Sequence, residues 1–235
     1  MAKVDRKKLL KEPDEFLTLS SRVIRWSKVN LNKVLWGATA VALIVAAVLG
    51  AKTYLDWQEQ RAAADLAPVM SAYAAAVEGK LDKAKTAKLA DDLALVTESY
   101  GSTPAGLQAR LALGDLRLSL GQWDQAKKVF ETLTQESALG VELAPLAFHG
   151  LGQALEGAKE YAKAAQAYEK AIAAAGPNLG QIYKLDQARV LAAAGDTKAA
   201  AQLYRAILAK PAEQGVHERA NNALAALGLE PPAES

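Results

Sequence analysis

GQWDQAKKVF (121–130), KEYAKAAQAY (159–168) and GDTKAAAQLY (195–204) are three versions of one pattern, offset by 38 and then 36 residues. Around them Leu113, Gly114, Gly121, Trp123, Ala126 and Phe130 align with Leu151, Gly152, Lys159, Tyr161, Ala164 and Tyr168. They align again with Gln187, Ala188, Gly195, Thr197, Ala200 and Tyr204. Spacing within each copy is constant, and the extra residues fall in connecting turns expected at 136–145 and 176–181. A repeat of this period predicts a helical hairpin copied three times. Small residues where two helices cross let the backbones approach, and the aromatics fill the gap to the next hairpin. One hairpin cannot bury such a face and about three are the minimum. A further hairpin at 52–106 and a last helix at 216–227 are therefore expected to cap the stack, with a frayed tail from 229 to 235.

These residues resemble the tetratricopeptide repeat, with a small residue at the eighth position, an aromatic at the seventeenth, alanine at the twentieth and an aromatic at the twenty-fourth. The middle copy matches best, through Phe148, Leu151, Gly152, Leu155, Tyr161, Ala164, Tyr168, Ala171 and nearby Pro177. The outer copies depart from it, with Arg110 and Lys184 in place of the first aromatic and Thr197 in place of the second. The resemblance covers 107–211 and implies an all-α solenoid whose first helices line a concave groove. By that resemblance the groove residues are Gln108, Leu111, Asp115 and Leu118, then Leu146, His149, Gln153 and Glu156, then Ile182, Leu185 and Arg189. Leu111, His149 and Leu185 occupy the fifth positions, so the lysine, asparagine and arginine clamp by which some members hold acidic carboxyl-terminal peptides is missing. Apolar side chains among Gln, Asp and Arg suit an apolar client segment or the face of a partner helix.

Upstream, VLWGATAVALIVAAVLGA (34–51) carries no charge and no proline. As a helix its 18 residues extend about 27 Å, close to the roughly 30 Å of hydrocarbon in a bilayer. Trp36 at one end and Tyr54 and Trp57 at the other suit the headgroup layers, and Lys52 can snorkel. A buried core helix and a cleaved signal peptide are the competing readings. Against the second, 33 residues with acids and aromatics precede the run, where a secretory signal has only a short basic region. The run reads as an uncleaved transmembrane anchor. Arg22, Arg25, Lys28 and Lys33 precede it, against Lys52 and Arg61 after it, so the positive-inside rule keeps the amino terminus in the cytoplasm.

The net charge of +2 hides a division: residues 1–33 hold 9 basic and 4 acidic side chains, leaving 19 basic and 22 acidic for the rest. The large part has no basic excess to displace counterions from a duplex, which argues against nucleic acid, and leaves anionic lipid as the better target of the tail. After a charged cluster at 3–11 and a helix start at Pro13 and Asp14, Phe16, Leu17, Leu19, Val23, Ile24, Trp26 and Val29 recur among Arg22, Arg25 and Lys28. That pattern suits an interfacial helix and equally a helix that binds a cytoplasmic partner. Beyond the anchor, the helix from Lys52 is expected to be interrupted or kinked at Pro68, followed by a second from Leu81 to Tyr100 and the breaker GSTP (101–104). With no cysteine, disulfides, thiolate metal sites, cysteine nucleophiles and lipoprotein attachment are excluded.

No catalytic constellation is visible. His149 and His217 have no convergent partners in the local sequence, and HGLGQALEG (149–157) follows no strand, so it does not read as a phosphate loop. Asp91 and Asp92 diverge by about 100° on a helix and cannot converge on one substrate atom. The expectation is a non-enzymatic protein with no cofactor and no metal, and an oligomeric state that the sequence does not fix.

The arrangement of basic tail (1–33), anchor (34–51), hairpin cap (52–106), three repeats (107–211) and final helix with tail (212–235) resembles the YfgM-like ancillary subunits of the bacterial SecYEG translocon. GSTPAGLQARLALG (101–114) is similar to that family's entry into its first good repeat. The resemblance implies a single-pass inner-membrane protein with a periplasmic repeat domain. Its expected partners are translocon subunits, a periplasmic chaperone or secreted clients. An adaptor in another envelope assembly, for pilus, secretion or wall machinery, and a membrane-anchored enzyme are the alternatives.

Overall fold

The computed structural model describes residues 15–210 and 214–230, with side chains described from Ser20 onward and not at Gln214. The charged cluster at 3–11, the helix start at Pro13 and Asp14 and the tail at 231–235 lie outside the described residues. Among the described residues there are ten α-helices and no strand. They are α1 (Glu15–Val29), α2 (Leu31–Val77), α3 (Lys83–Tyr100), α4 (Pro104–Ser119) and α5 (Trp123–Thr134), then α6 (Gly140–Gly157), α7 (Tyr161–Ala174), α8 (Pro177–Ala193), α9 (Thr197–Leu208) and α10 (Gln214–Ala226). The boundary between two compact units falls inside α2, after Asp56.

In the first unit, α1 ends one residue before α2 begins, at Asn30, whose backbone N–H and side-chain amide both donate to the Trp26 carbonyl at 2.9 and 3.0 Å. The apolar part of α2 is long enough to cross a membrane, and none of it is buried in the protein. Leu43, Ile44 and Val48 are all more than 60% exposed. Of the two expectations at Pro68, an interruption is not found, since α2 runs through it. Ala62 and Leu66 on that helix are buried against Leu89, Ala90 and Leu93 of α3, and this packing offsets the backbone hydrogen bond a proline deletes.

In the second unit every helix from α3 onward packs on the next in the chain, and α4 also touches α6 and α8 touches α10. The hairpins α4–α5, α6–α7 and α8–α9 are closed by turns centred on Gly121, Lys159 and Gly195, with φ of 73°, 63° and 91°. These positions are offset by 38 and 36 residues. Each is followed by the same hydrogen bond back across the helix end: Gln122 N–H to Arg117 at 2.9 Å, Glu160 N–H to Leu155 at 2.8 Å, Asp196 N–H to Leu191 at 2.9 Å. A left-handed residue closing a helix in this way satisfies carbonyls that otherwise have no intrahelical donor. Connections between hairpins are shorter than expected. α6 starts at Gly140, so Pro145 lies inside it, and α8 starts at Pro177, whose missing N–H is unneeded in a first turn. α3 begins at Lys83 because the Asp82 carboxylate accepts from the Lys85 N–H at 2.8 Å.

Glycines and rings interlock where helices cross. A methyl group on Gly114 or Gly150 would stand 2.4 or 2.3 Å from the Phe130 ring, and one on Gly152 would stand 2.5 Å from Tyr168. Each second-helix ring is buried and reaches forward: Phe130 clusters with Ala147 and Ala154 of α6, Tyr168 with Val190 of α8, and Tyr204 with Ala220 and Leu224 of α10. Ala164, fully buried at the centre of the middle hairpin, leaves no room for a larger side chain. Ala164→Leu is expected to lower stability by about 1–3 kcal/mol through overpacking. An unchanged urea midpoint would contradict this register of the middle hairpin.

Candidate functional site

At the turn end of the three hairpins the carboxyl-terminal ends of α4, α6 and α8 stand around a cleft of about 730 Å³. Five of the residues expected in the groove meet there: Asp115, Leu118, Gln153, Glu156 and Arg189. Trp123, Tyr161, Lys159, Ser119, Gly157 and Ala193 complete the wall. The rings of Trp123 and Tyr161 come from the first residues of α5 and α7. Trp123 packs over Gly157, where a Cβ would lie 2.3 Å from the indole. Lys159 is the one non-glycine residue with positive φ among the described residues. A lysine holding a conformation that glycine adopts without strain is the kind of local cost associated with functional surfaces.

The other expected groove residues are placed differently. Leu185 is 6% exposed and belongs to the core formed with Tyr204, Ile207, Val216 and Leu224, so it is a packing residue. Leu111 packs against the Leu107, Ala126 and Phe130 cluster, and Ile182 against the Leu185 cluster. Gln108 and Leu146 are exposed outside the cleft. His149 is partly buried, its Nε2 donating to Asp186 Oδ2 at 2.9 Å and its ring stacked on Tyr183 with centroids 4.3 Å apart. The carboxylate, which can only accept, assigns the proton to Nε2.

Polar groups knit the wall together. Arg189 pairs with Glu156 and, at 3.0 Å, with Asp186, while the Tyr168 hydroxyl donates to Glu156 Oε2 at 3.0 Å. At the cleft's other side the Tyr73 hydroxyl of α2 donates to Asp115 Oδ2 at 2.8 Å. Burial raises the Asp115 carboxyl above the ordinary range, opposed by the Tyr73 hydrogen bond and by nearby His149. Burial likewise raises the Tyr73 and Tyr168 phenols. Outside the cleft, Lys127 and Lys163 hold the Glu160 carboxyl down to about 2, fastening α5 to the turn before α7.

A group whose folded-state pKa is raised contributes stability at low pH that is lost as pH rises through that pKa. Ionised Asp115 is thus a cost to the fold near neutrality. Asp115→Asn keeps an acceptor for Tyr73 and removes the charge. It is expected to raise the melting temperature by a few degrees at pH 7.5 and to change it little at pH 3. A lower melting temperature at pH 7.5 would show that the carboxylate stabilises the domain.

The arrangement offers aromatic faces, two carboxylates and two cations on an open wall, which is equipment for non-covalent recognition. Among the described residues no group of three or more His, Asp or Glu side chains is gathered to hold a metal ion. No family model matches the chain, and no curated protein matches it.

Proposed function

We propose that this protein is a membrane-anchored tetratricopeptide-repeat scaffold that binds segments of other proteins and carries out no chemistry of its own. The observation that carries this reading is the cleft shared by three successive hairpins, whose wall mixes Trp123, Tyr161 and Leu118 with Asp115, Glu156 and Arg189. Such a surface takes a short stretch of polypeptide with both apolar and polar side chains. The exposed apolar length of α2 supports an anchor at 34–51, and the basic residues before it support a cytoplasmic amino terminus and a repeat domain on the periplasmic side of a bacterial inner membrane. In that setting the protein is an ancillary component near the translocon exit, where tethering raises the local concentration of groove and emerging chain or chaperone.

Ala193 is exposed at the cleft wall and makes no part of the core. Ala193→Trp is expected to fill the cleft, leave the melting temperature unchanged and reduce crosslinking of bound polypeptides in native membranes about tenfold, equivalent to about 1.4 kcal/mol. Full crosslinking by this variant would move the binding surface elsewhere. Crosslinked material containing neither translocon subunits nor secreted chains would exclude the translocon assignment and favour an adaptor in a different envelope assembly.

A further inference from the structure

α1 carries a feature the scaffold reading does not use. At roughly 100° per residue, Val23, Ile24 and Trp26 fall within one half of the helix surface and Arg22, Arg25 and Lys28 within the other. Val23, Ile24 and Trp26 are 61, 56 and 58% exposed, so among the described residues that apolar half is left largely open. Residues 16–33 contain four basic side chains and no Asp or Glu. The Asn30 break, where the side-chain amide caps the Trp26 carbonyl, separates this helix from α2 by a single residue.

We infer that α1 is an in-plane lipid-binding helix that seats its Val23, Ile24 and Trp26 face below the headgroups of an anionic bilayer and its Arg22, Arg25 and Lys28 row on their phosphates. The inference rests on the anchor reading of α2. A helix that ends one residue from a membrane entry point can lie along the interface by bending at Asn30. A half-apolar, half-cationic surface matches an interface that is hydrocarbon below and negatively charged above. The absence of acids from 16–33 favours lipid over a protein helix, whose mixed charges call for both signs in return.

The test uses the full chain reconstituted in lipid nanodiscs with bromine-labelled acyl chains, which quench nearby tryptophans. One variant keeps only Trp26 (Trp36→Phe, Trp57→Phe, Trp123→Phe), and a companion keeps only Trp36. Trp36 is expected to be quenched in neutral and in phosphatidylglycerol-rich discs alike. Trp26 is expected to be quenched by shallow bromines, roughly twofold more in the anionic discs. That excess should vanish in about 0.5 M salt, where screening is short-ranged, and on combined Arg22→Gln, Arg25→Gln and Lys28→Gln. Quenched Trp36 with unquenched Trp26 overturns the inference while leaving the anchor intact, and leaves the face to a protein partner. Equal quenching of Trp26 in neutral and anionic discs overturns the part played by charge. Unquenched Trp36 removes the anchor and this inference together.

Discussion

Leu185→Asp is expected to unfold the carboxyl-terminal hairpin. Leu185 is 6% exposed and packed in the cluster that joins α8, α9 and α10 through Ala188, Tyr204, Ile207, Val216 and Leu224. Truncating a buried leucine costs about 2–5 kcal/mol, and placing an unpaired carboxylate there adds a desolvation penalty. The sum is a large share of the roughly 5–15 kcal/mol that holds a domain together. Urea denaturation followed by circular dichroism should show a much lower midpoint or an early separate transition, whereas Leu185→Met should stay within about 1.5 kcal/mol of the parent. A native melt for Leu185→Asp would return this side chain to the groove that the tetratricopeptide resemblance implies for it.

The second large effect is Tyr168→Ala. Its ring is fully buried, stands over Gly152 and packs with Leu155, Ala164 and Val190, so it holds three helices at once. Removing it leaves a cavity between the middle and last hairpins, with an expected loss of about 3–5 kcal/mol. Tyr168→Phe keeps the ring and removes only the hydrogen bond to Glu156, which retains Arg189 as partner; a loss of about 1 kcal/mol is expected. If both substitutions cost the same in urea unfolding, the hydroxyl and not the ring is what fastens the two hairpins.

Much of this is legible in the chain. Spacing alone places Gly114, Gly152 and Ala188 at helix crossings and sends the second-helix aromatics toward the next hairpin, because register within a repeat is local; that Phe130 and Tyr168 lie on those glycines is seen only in the structure. Depth is not legible. Leu111, His149 and Leu185 share one position in three copies, yet His149 lines a polar seam, Leu185 sinks into a core and Leu111 packs half-buried against the edge of another. How far the following hairpin or the capping helix covers a side chain depends on tertiary packing that periodicity does not encode. For the same reason Trp123 and Tyr161, packing aromatics by their position in the repeat, give no sign in the sequence of their cleft-facing sides. Lys159 does leave a signal. It stands where its counterparts are Gly121 and Gly195, so the alignment itself marks a lysine at a left-handed turn that glycine adopts without strain.

The order in which the helices pack has a further consequence for how the protein folds. Every helix from α3 onward finds a neighbour immediately adjacent in the chain, so the contacts that build the domain are local in sequence and are expected to form fast. Each hairpin leaves one aromatic face open, Phe130 and then Tyr168, until the hairpin that follows it in sequence arrives to cover it, so the loops that must close stay short.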